Sequence, residues 1–166
     1  MRDALFAVRR ARAEDWAALR AIRLEALSDT PEAFGSSYET AHQYSNDQWR
    51  TMAAQRCYWL AERDGVVVGM ISGGLNDDHP GTRWLYGMYV TPSARGSGVA
   101  EPLVGAVEEW AREEGVNEIF LDVGSSVARA RAFYSKMGFA PIGQSHTMAR
   151  EPALALITMK RSLVDA

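Results

Sequence analysis

The segment TPSARGSGVAEPLV, residues 91–104, joins a glycine-rich turn to the start of an amphipathic run. Gly96 and Gly98 allow backbone conformations that other residues avoid, so the turn can place its own N–H groups against a ligand. A helix start carries unpaired N–H groups and the positive end of the helix dipole, and both favour an anion. Arg95 adds a guanidinium suited to phosphate oxygens. The segment predicts an anion-binding turn, although Ser97 would also suit an ordinary helix cap.

Two common phosphate-binding motifs do not fit this turn. A Walker-type P-loop requires Gly-Lys followed by Ser or Thr, and a dinucleotide fingerprint requires a third glycine where Glu101 stands. The remaining interpretation is a pyrophosphate cradle of successive backbone N–H groups, in which Ala100 keeps the first helical turn narrow. Pro102 falls near the fourth or fifth helical position. We therefore expect either a later helix start or a small distortion with an unpaired carbonyl near Gly98.

Hydrophobic periodicity around the turn predicts an α/β fold. A βαβ unit is predicted from strand 84–90, the turn, a helix that ends near Gly115 and strand 118–123. The two strands of such a unit should run parallel. An Asp-Gly turn at residues 64–65 predicts an antiparallel hairpin. We expect residues 1–166 to form one domain. The other predicted elements are strands 5–9, 57–62, 66–72, 139–144 and 153–160, and helices that begin at Glu14, cover 46–54 and cover 127–137.

Composition places the chain among ordinary globular proteins, with 47% hydrophobic and 23% charged residues. The formal net charge of −3 argues against a general nucleic-acid binder. Cys57 is the single cysteine, so an internal disulfide and a cysteine-based metal site are excluded, which suits a reducing cytoplasm. The apolar runs are too short for a signal peptide or a membrane span. We therefore expect a cytoplasmic protein with no metal, nucleic-acid partner or membrane partner.

Two motifs resemble the signatures of the GNAT superfamily of acetyl-CoA-dependent N-acetyltransferases. Residues 95–100, RGSGVA, resemble its [QR]-x-x-G-x-[GA] signature and follow a strand that ends in YVTP. Residues 130–139, ARAFYSKMGF, resemble its A-x-x-[FL]-Y-x-x-x-G-F segment. The separation of about thirty-five residues also matches the family, and two motifs at the expected distance make chance agreement uncommon.

The resemblance implies a mixed, mostly antiparallel, V-shaped sheet with a central parallel βαβ pair and helices on both faces. Strands 84–90 and 118–123 would part, and Gly87 would suit a bulge that helps them do so. The pantetheine arm of acetyl-CoA would enter this gap. The resemblance implies that the pantetheine arm pairs with backbone groups of Met88, Tyr89 and Val90. It also implies that the pyrophosphate is held by Arg95, Gly96, Ser97, Gly98, Val99 and Ala100.

The same resemblance implies direct acetyl transfer from acetyl-CoA to the primary amine of a small molecule in a ternary complex. Tyr134 would donate its phenolic proton to the leaving thiolate, and a backbone N–H near Val90 would stabilise the oxyanion. The amine must lose a proton, although an alkylammonium has a pKa of about 10.4. Glu39 is the first candidate for the base, since it lies between the first two helices. Asp122, His79 and a chain of water molecules are the alternatives.

The acceptor pocket is expected beside the first two helices. Phe34 and Tyr38 are its predicted binding residues, and an aromatic, partly acidic pocket would suit a cationic amine. Trp49, His146 and Arg150 are expected to line or gate it.

One position departs from the family pattern, because Val127 stands where the family often carries Asn three residues before the motif alanine. Ser126 or Ser125 would then replace the lost contact to the CoA arm and cap the helix. Two alternative functions stay open: a protein acetyltransferase acting on N-termini or lysines, and a domain that senses acyl-CoA without catalysis. A homodimer is also compatible with the family.

Overall fold

The chain forms one mixed β-sheet in a computed structural model that describes residues 6–149 and 151–164. Its strands are β1 Ala7–Arg10, β2 Cys57–Arg63, β3 Val66–Gly74, β4 Trp84–Val90, β5 Glu118–Gly124, β6 Ala140–Thr147 and β7 Ala155–Ser162. Their order in the sheet is β1-β2-β3-β4-β5-β7-β6. The β4–β5 pair is parallel and the other neighbouring pairs are antiparallel, which confirms the predicted parallel pair.

Helices cover both faces of the sheet. They are α1 Trp16–Asp29, α2 Tyr38–His42, α3 Asn46–Gln55, α4 Ala100–Glu113 and α5 Ala128–Lys136. One core contains Leu103 and Val107 of α4, and a second core contains Leu19 of α1 and Trp49 of α3. The two faces are called the α4 side and the α1 side below. Mixed strand directions with helices on both sides confirm the predicted fold class.

The helices of the described residues include none with the length and apolarity needed to cross a bilayer. Helix α4 begins at Ala100, so Pro102 occupies its third position. The first N–H groups of a helix have no partner within it, so a proline there removes no helical hydrogen bond. The later helix start is confirmed, and the predicted fourth or fifth position is wrong. The helix cannot start earlier, because Gly98 has a φ of +89°, which lies outside the helical region.

Strands β4 and β5 separate after a short shared segment. Trp84 pairs with Phe120 in parallel register, and the Phe120 N–H donates to the Arg83 carbonyl at 3.1 Å. Within the described residues, no further register pair joins the two strands. β3 still pairs with β4 at Val90, and β7 still pairs with β5 at Gly124. A gap therefore opens between the carboxyl ends of the two parallel strands.

A bulge at Gly87 bends β4 beside this gap. Met70 and Ser72 of β3 face Tyr89 and Tyr86 of β4, so β4 contains one extra residue. Gly87 has a φ of +58°, in the left-handed region that glycine adopts with little strain. The predicted bulge is confirmed, and its extra residue turns β4 where the strands part.

Candidate functional site

The end of β4 presents a backbone donor to the gap. The Thr91 N–H donates to the Val68 carbonyl at 2.9 Å, on the side of β3. Because successive N–H groups of a strand point to opposite edges, the Val90 N–H points away from β3 and into the gap. A carbonyl oxygen placed there would receive a hydrogen bond from a rigid strand. That geometry suits stabilisation of an oxyanion.

The turn before α4 exposes a row of backbone donors. Gly96 and Gly98 have φ values of +77° and +89°, and a Cβ added to either would meet nothing within 4 Å. Glycine is therefore required by the backbone conformation and not by space. Within the described residues, the N–H groups of residues 96–99 donate no hydrogen bond, and no side chain caps α4. Such a turn at the positive end of a helix suits a pyrophosphate.

Ser97 does not cap α4. Its hydroxyl donates to the Ala94 carbonyl, one turn earlier, and the N-cap position belongs to Val99. The alternative interpretation of this turn as an ordinary serine cap is therefore wrong. Val99 is buried on the α4 side, so its side chain anchors the exposed turn to the core.

Arg95 contacts protein groups at the edge of the turn. Its Nε donates to the Val90 carbonyl at 2.9 Å, and its Nη2 donates to Asp29 Oδ2 at 2.6 Å. The guanidinium also lies over the Tyr89 ring, 5.6 Å from its centroid. These contacts fix the turn to β4 and to α1. The predicted contact between Arg95 and phosphate stays a prediction.

A carboxylate pair on α1 completes this anchor. The Tyr89 hydroxyl lies 2.8 Å from Glu25 Oε2 and 3.1 Å from Asp29 Oδ2, and Thr91 Oγ1 donates to Glu25 at 2.6 Å. Burial, together with both carboxylates, raises the pKa of the Tyr89 phenol, so it remains a donor. The hydrogen bond from Arg95 lowers the pKa of Asp29. Sequence reasoning missed this pair, although its i,i+4 spacing places both carboxylates on one helix face.

Tyr134 lies on α5 with 7% of its surface exposed. Its ring packs edge-on against Phe133 and Phe139, in the same core as Val99, and Met88 and Val90 pack against that core. Burial raises the pKa of its phenol, and no hydrogen bond from its hydroxyl forms within the described residues. The phenol is therefore protonated and uncommitted, which suits a proton donor.

The start of α5 differs from the expectation. Val127 is the N-cap residue, no side chain caps the helix, and Ser126 is exposed beside it. The expected serine cap is wrong, because the Ser125 N–H donates to the Ala155 carbonyl at 2.9 Å and the chain turns one residue later. A contact between Ser126 and the CoA arm stays a prediction.

A cavity of about 630 Å³ opens on the α1 side of the sheet. The cavity is lined by Trp84, Asp122, residues 143–146 and the loop between β3 and β4. Leu121 and Val123 are buried on the α4 side, so alternation along β5 directs Asp122 to the α1 side. The cavity thus lies on the face of the sheet opposite α4.

Asp122 orients a histidine inside this cavity. Its Oδ1 accepts a hydrogen bond from Thr158 Oγ1 at 2.6 Å, and its Oδ2 lies 3.2 Å from His146 Nε2. The other ring nitrogen of His146 has no partner among the described residues. A carboxylate that holds one imidazole nitrogen leaves the second free to accept a proton. His79 lies across the cavity and stacks on Trp84 with centroids 5.6 Å apart.

The other predicted acceptor residues are dispersed. Glu39 is exposed in the first turn of α2, and Tyr38 is exposed and stacked on His42 at 5.5 Å. Trp49 is fully buried in the α1-side core, so the expectation that it lines a pocket is wrong. Arg150 lies outside the described residues.

Phe34 belongs to a different group, together with Arg23 and the β4 bulge. The Arg23 guanidinium lies over the Phe34 ring, 5.5 Å from its centroid, and contacts Ser36 Oγ at 3.5 Å. A Cβ added to Gly87 would lie 3.1 Å from Arg23 Nη1 and 3.9 Å from the Phe34 ring. Phe34 therefore lies beside the β4 bulge, buried under an arginine, and its role as an acceptor residue stays a prediction.

Metal ligands do not cluster in this region. Across residues 6–149 and 151–164, no three His, Cys, Asp or Glu side chains are grouped so that they could hold a metal ion. Cys57 begins β2, two strands away from β4, where its sulfur accepts from Arg10 at 3.0 Å.

The sequence matches the model of a family described as "Acetyltransferase (GNAT) family" over residues 16–139. Human N-acetyltransferase 8 is 37% identical over 107 residues, which are 62% of this chain and 47% of that protein. The chain therefore spans about half the length of the curated relatives that it matches.

Two solved structures share this fold. The Salmonella typhimurium protein yncA, solved with its cofactor acetyl-CoA, has a TM-score of 0.76 at 22% identity over 98% of this chain and 96% of that chain. A ribosomal-protein-alanine N-acetyltransferase from Brucella melitensis has a TM-score of 0.71 at 26% identity, over 94% and 99% of the two chains.

Proposed function

Because the chain belongs to the acetyltransferase (GNAT) family, we propose that it transfers an acetyl group from acetyl-CoA to the primary amine of a small molecule. The observation that carries the proposal is the uncapped turn at residues 96–99, which lies at the end of β4 beside the gap. The proposal is supported by unpaired donors in the turn, by the gap between β4 and β5, and by the buried Tyr134 phenol, whose core Met88 and Val90 of β4 also contact. Thioester aminolysis needs these groups.

Acetyl-CoA fits the groups that the chain presents. The N–H groups of the turn and of Ala100 would bind the pyrophosphate, and Gly96 and Gly98 permit the conformation that exposes them. The pantetheine arm would enter the gap and pair with the edge of β4 at Met88–Val90. The structural relative yncA was solved with acetyl-CoA, which supports the same donor here.

Two groups of the chain are proposed to carry the chemistry, the Val90 N–H and the Tyr134 hydroxyl. The Val90 N–H would stabilise the oxyanion that forms when the amine nitrogen attacks the thioester carbon. Tyr134 would donate its proton to the sulfur as the carbon–sulfur bond breaks. The transfer is direct, in a ternary complex, because the single cysteine lies on β2, away from the gap.

For the base, the cavity favours a different residue from the first prediction. Glu39 is exposed on α2, whereas His146 lies in the cavity and is oriented by Asp122. We propose that His146 accepts the proton of the amine through its free ring nitrogen and that Asp122 positions it. Two variants separate the candidates. His146→Gln should lower kcat/KM for the amine by about 10²- to 10⁴-fold, whereas Glu39→Gln should change it little; the reverse result would restore Glu39.

The activity is tested by incubating the protein with acetyl-CoA and a panel of primary amines and peptides. Release of CoA is followed continuously, and the acetylated product is identified by its mass. We expect CoA release that depends on a small amine. Turnover confined to peptides or protein N-termini would indicate the protein acetyltransferase alternative. Measurable acetyl-CoA binding without turnover of any acceptor would indicate a sensor. The homodimer and the cytoplasmic location also stay predictions.

A further inference from the structure

Arg23 is a half-buried cation that has no carboxylate partner among the described residues. The described residues form nine ion pairs between an arginine or lysine and a carboxylate, and these include Arg9 and Arg95 but not Arg23. In the part of the chain that the structure describes, Arg23 donates one hydrogen bond, to Ser36 Oγ, and it is long at 3.5 Å. Partial burial of a guanidinium without an anion has a cost that a bound anion would offset, so Arg23 is a candidate anion site.

The location of Arg23 connects it with the transfer site. Its Nη1 lies against the bulge at Gly87, where β4 bends away from β5, and Ser72 Oγ borders the same space. The guanidinium is therefore on the α1 side of the sheet, the side to which Asp122 also points. An acceptor that approaches the gap from the cavity reaches this guanidinium without crossing the sheet.

Phe34 holds the guanidinium in place without using its donors. The ring centroid lies 5.5 Å from the guanidinium carbon, and this stacking contact uses none of the guanidinium N–H groups. A planar guanidinium held in this way keeps its N–H groups available for a bidentate carboxylate.

Charges of opposite sign are arranged along this face. Asp122 and Asp78 line the cavity with His146, and Arg23 supplies positive charge at the bulge. An amine would be favoured near the acids, and an anion near the guanidinium. A small molecule that carries both an amine and a carboxylate would match the acids and the guanidinium at the same time.

We propose that the acceptor is a free amino acid, or a derivative with its carboxylate intact, and that Arg23 binds this carboxylate while the amine faces the gap. The inference rests on the proposed acetyltransferase function, because it names the acceptor of that same site. The α-carboxyl group of a protein's N-terminal residue is part of a peptide bond and carries no charge, so the proposal also disfavours protein acceptors.

The test compares acceptors matched in side chain. Each set contains an amino acid, its carboxamide and the corresponding decarboxylated amine, and CoA release gives kcat/KM for each. We expect the free acid to exceed the carboxamide by about 10- to 100-fold, as a charge-assisted pair requires. The carboxamide has the less basic amine and therefore more of the reactive neutral form, so the comparison is biased against this expectation.

The variant Arg23→Gln should remove the preference and leave activity on the carboxamide within about threefold, whereas Arg23→Lys should retain part of it. Arg20→Gln, on the same helix, is the matched control and should keep the full preference. A purely structural role for Arg23 would lower activity on all acceptors equally and leave their ratio unchanged, which would overturn the proposal.

The two proposals fail in different ways. Equal activity of the wild-type protein on acids and carboxamides would overturn the carboxylate site while the acetyltransferase function stands. Absence of CoA release with every amine, amino acid and peptide, despite acetyl-CoA binding, would remove the proposed function and this inference with it.

Discussion

Asp29 Oδ2 accepts a hydrogen bond from Arg95 Nη2 at 2.6 Å, which joins the last residue of α1 to the first residue of the glycine turn. The same guanidinium donates to the Val90 carbonyl at the end of β4. The turn that would bind pyrophosphate and the strand that would bind pantetheine are thus fixed to each other. Their relative position is set before any ligand arrives.

Asp29→Asn tests whether this anchor matters for the donor. Loss of the ion pair should let the turn shift relative to β4 and raise the Kd for acetyl-CoA a few-fold, with little change in kcat. The effect is modest because both side chains are partly exposed. Isothermal titration with acetyl-CoA measures it, and Ser28→Ala on the same helix is the control. Tighter binding in Asp29→Asn would instead mean that Asp29 withholds Arg95 from the phosphates.

The pH dependence of this anchor has a defined sign. The hydrogen bond from Arg95 lowers the pKa of Asp29, so the folded protein binds its proton less readily than the unfolded chain. The contribution to stability is present above the unfolded pKa of about 3.9 and is lost as the pH falls through the lower folded value. The stability difference between wild type and Asp29→Asn, from urea unfolding, should therefore stay constant from about pH 8 to about pH 5 and shrink only below about pH 4. A steady decline between neutral pH and pH 5 would contradict this assignment.

Two glycines on the same segment should respond in opposite ways to alanine. Gly98 has a positive φ, so Gly98→Ala should cost about 1 kcal/mol of stability and weaken acetyl-CoA binding by roughly tenfold. Gly105 lies within α4 with open space around its Cβ position, so Gly105→Ala should stabilise the protein by about 0.5–1 kcal/mol and leave binding unchanged. Thermal unfolding and titration measure both effects. Equal responses of the two variants would show that the backbone conformation of the turn is not required.

Replacement of Pro102 should have little effect. At the third position of α4 its missing N–H removes no helical bond, so Pro102→Ala should change the free energy of unfolding by less than about 0.5 kcal/mol. The adjacent Leu103 is fully buried, and Leu103→Ala should cost about 2–5 kcal/mol. Chemical denaturation compares the two. A large loss in Pro102→Ala would place the helix start elsewhere.

The buried phenol of Tyr134 should remain active as an acid at high pH. Burial raises its pKa above the ordinary value of about 10, so the proton is still present when an exposed tyrosine would begin to ionise. The ratio of kcat between wild type and Tyr134→Phe should therefore stay constant from about pH 7 to about pH 10. A ratio that falls across this range would mean that the phenol ionises and has another role.

Local patterns account for what the sequence predicted correctly. The parallel pair follows from a strand, a turn, a helix and a strand in succession, and the bulge follows from a glycine inside an apolar strand. Helix α2 was missed because it is only five residues long and has a single buried residue, Ala41. The alternative of a Ser97 cap and the expected cap at Ser125 or Ser126 were wrong, because residue type alone does not fix where a helix begins.

The acceptor side depends on contacts that no local pattern contains. Asp122 and His146 come from strands separated in the sheet by β7, and they meet only because β6 folds back along it. Arg23 belongs to the regular pattern of an amphipathic helix, and its place over Gly87 becomes visible only when α1 packs on β4. Periodicity predicts elements and their faces, whereas pairs of distant side chains require the assembled fold.

The role of Tyr134 is tested by the effect of Tyr134→Phe on amine-dependent CoA release, measured together with the Kd for acetyl-CoA. The phenylalanine preserves the ring that packs against Phe133 and Phe139 and removes only the hydroxyl. If the phenol supplies the proton for the thiolate, kcat should fall by about 10²-fold or more while the Kd changes less than about twofold. A kcat within a few-fold of wild type at an unchanged Kd would contradict the central claim that this buried tyrosine is the acid of an acetyl transfer.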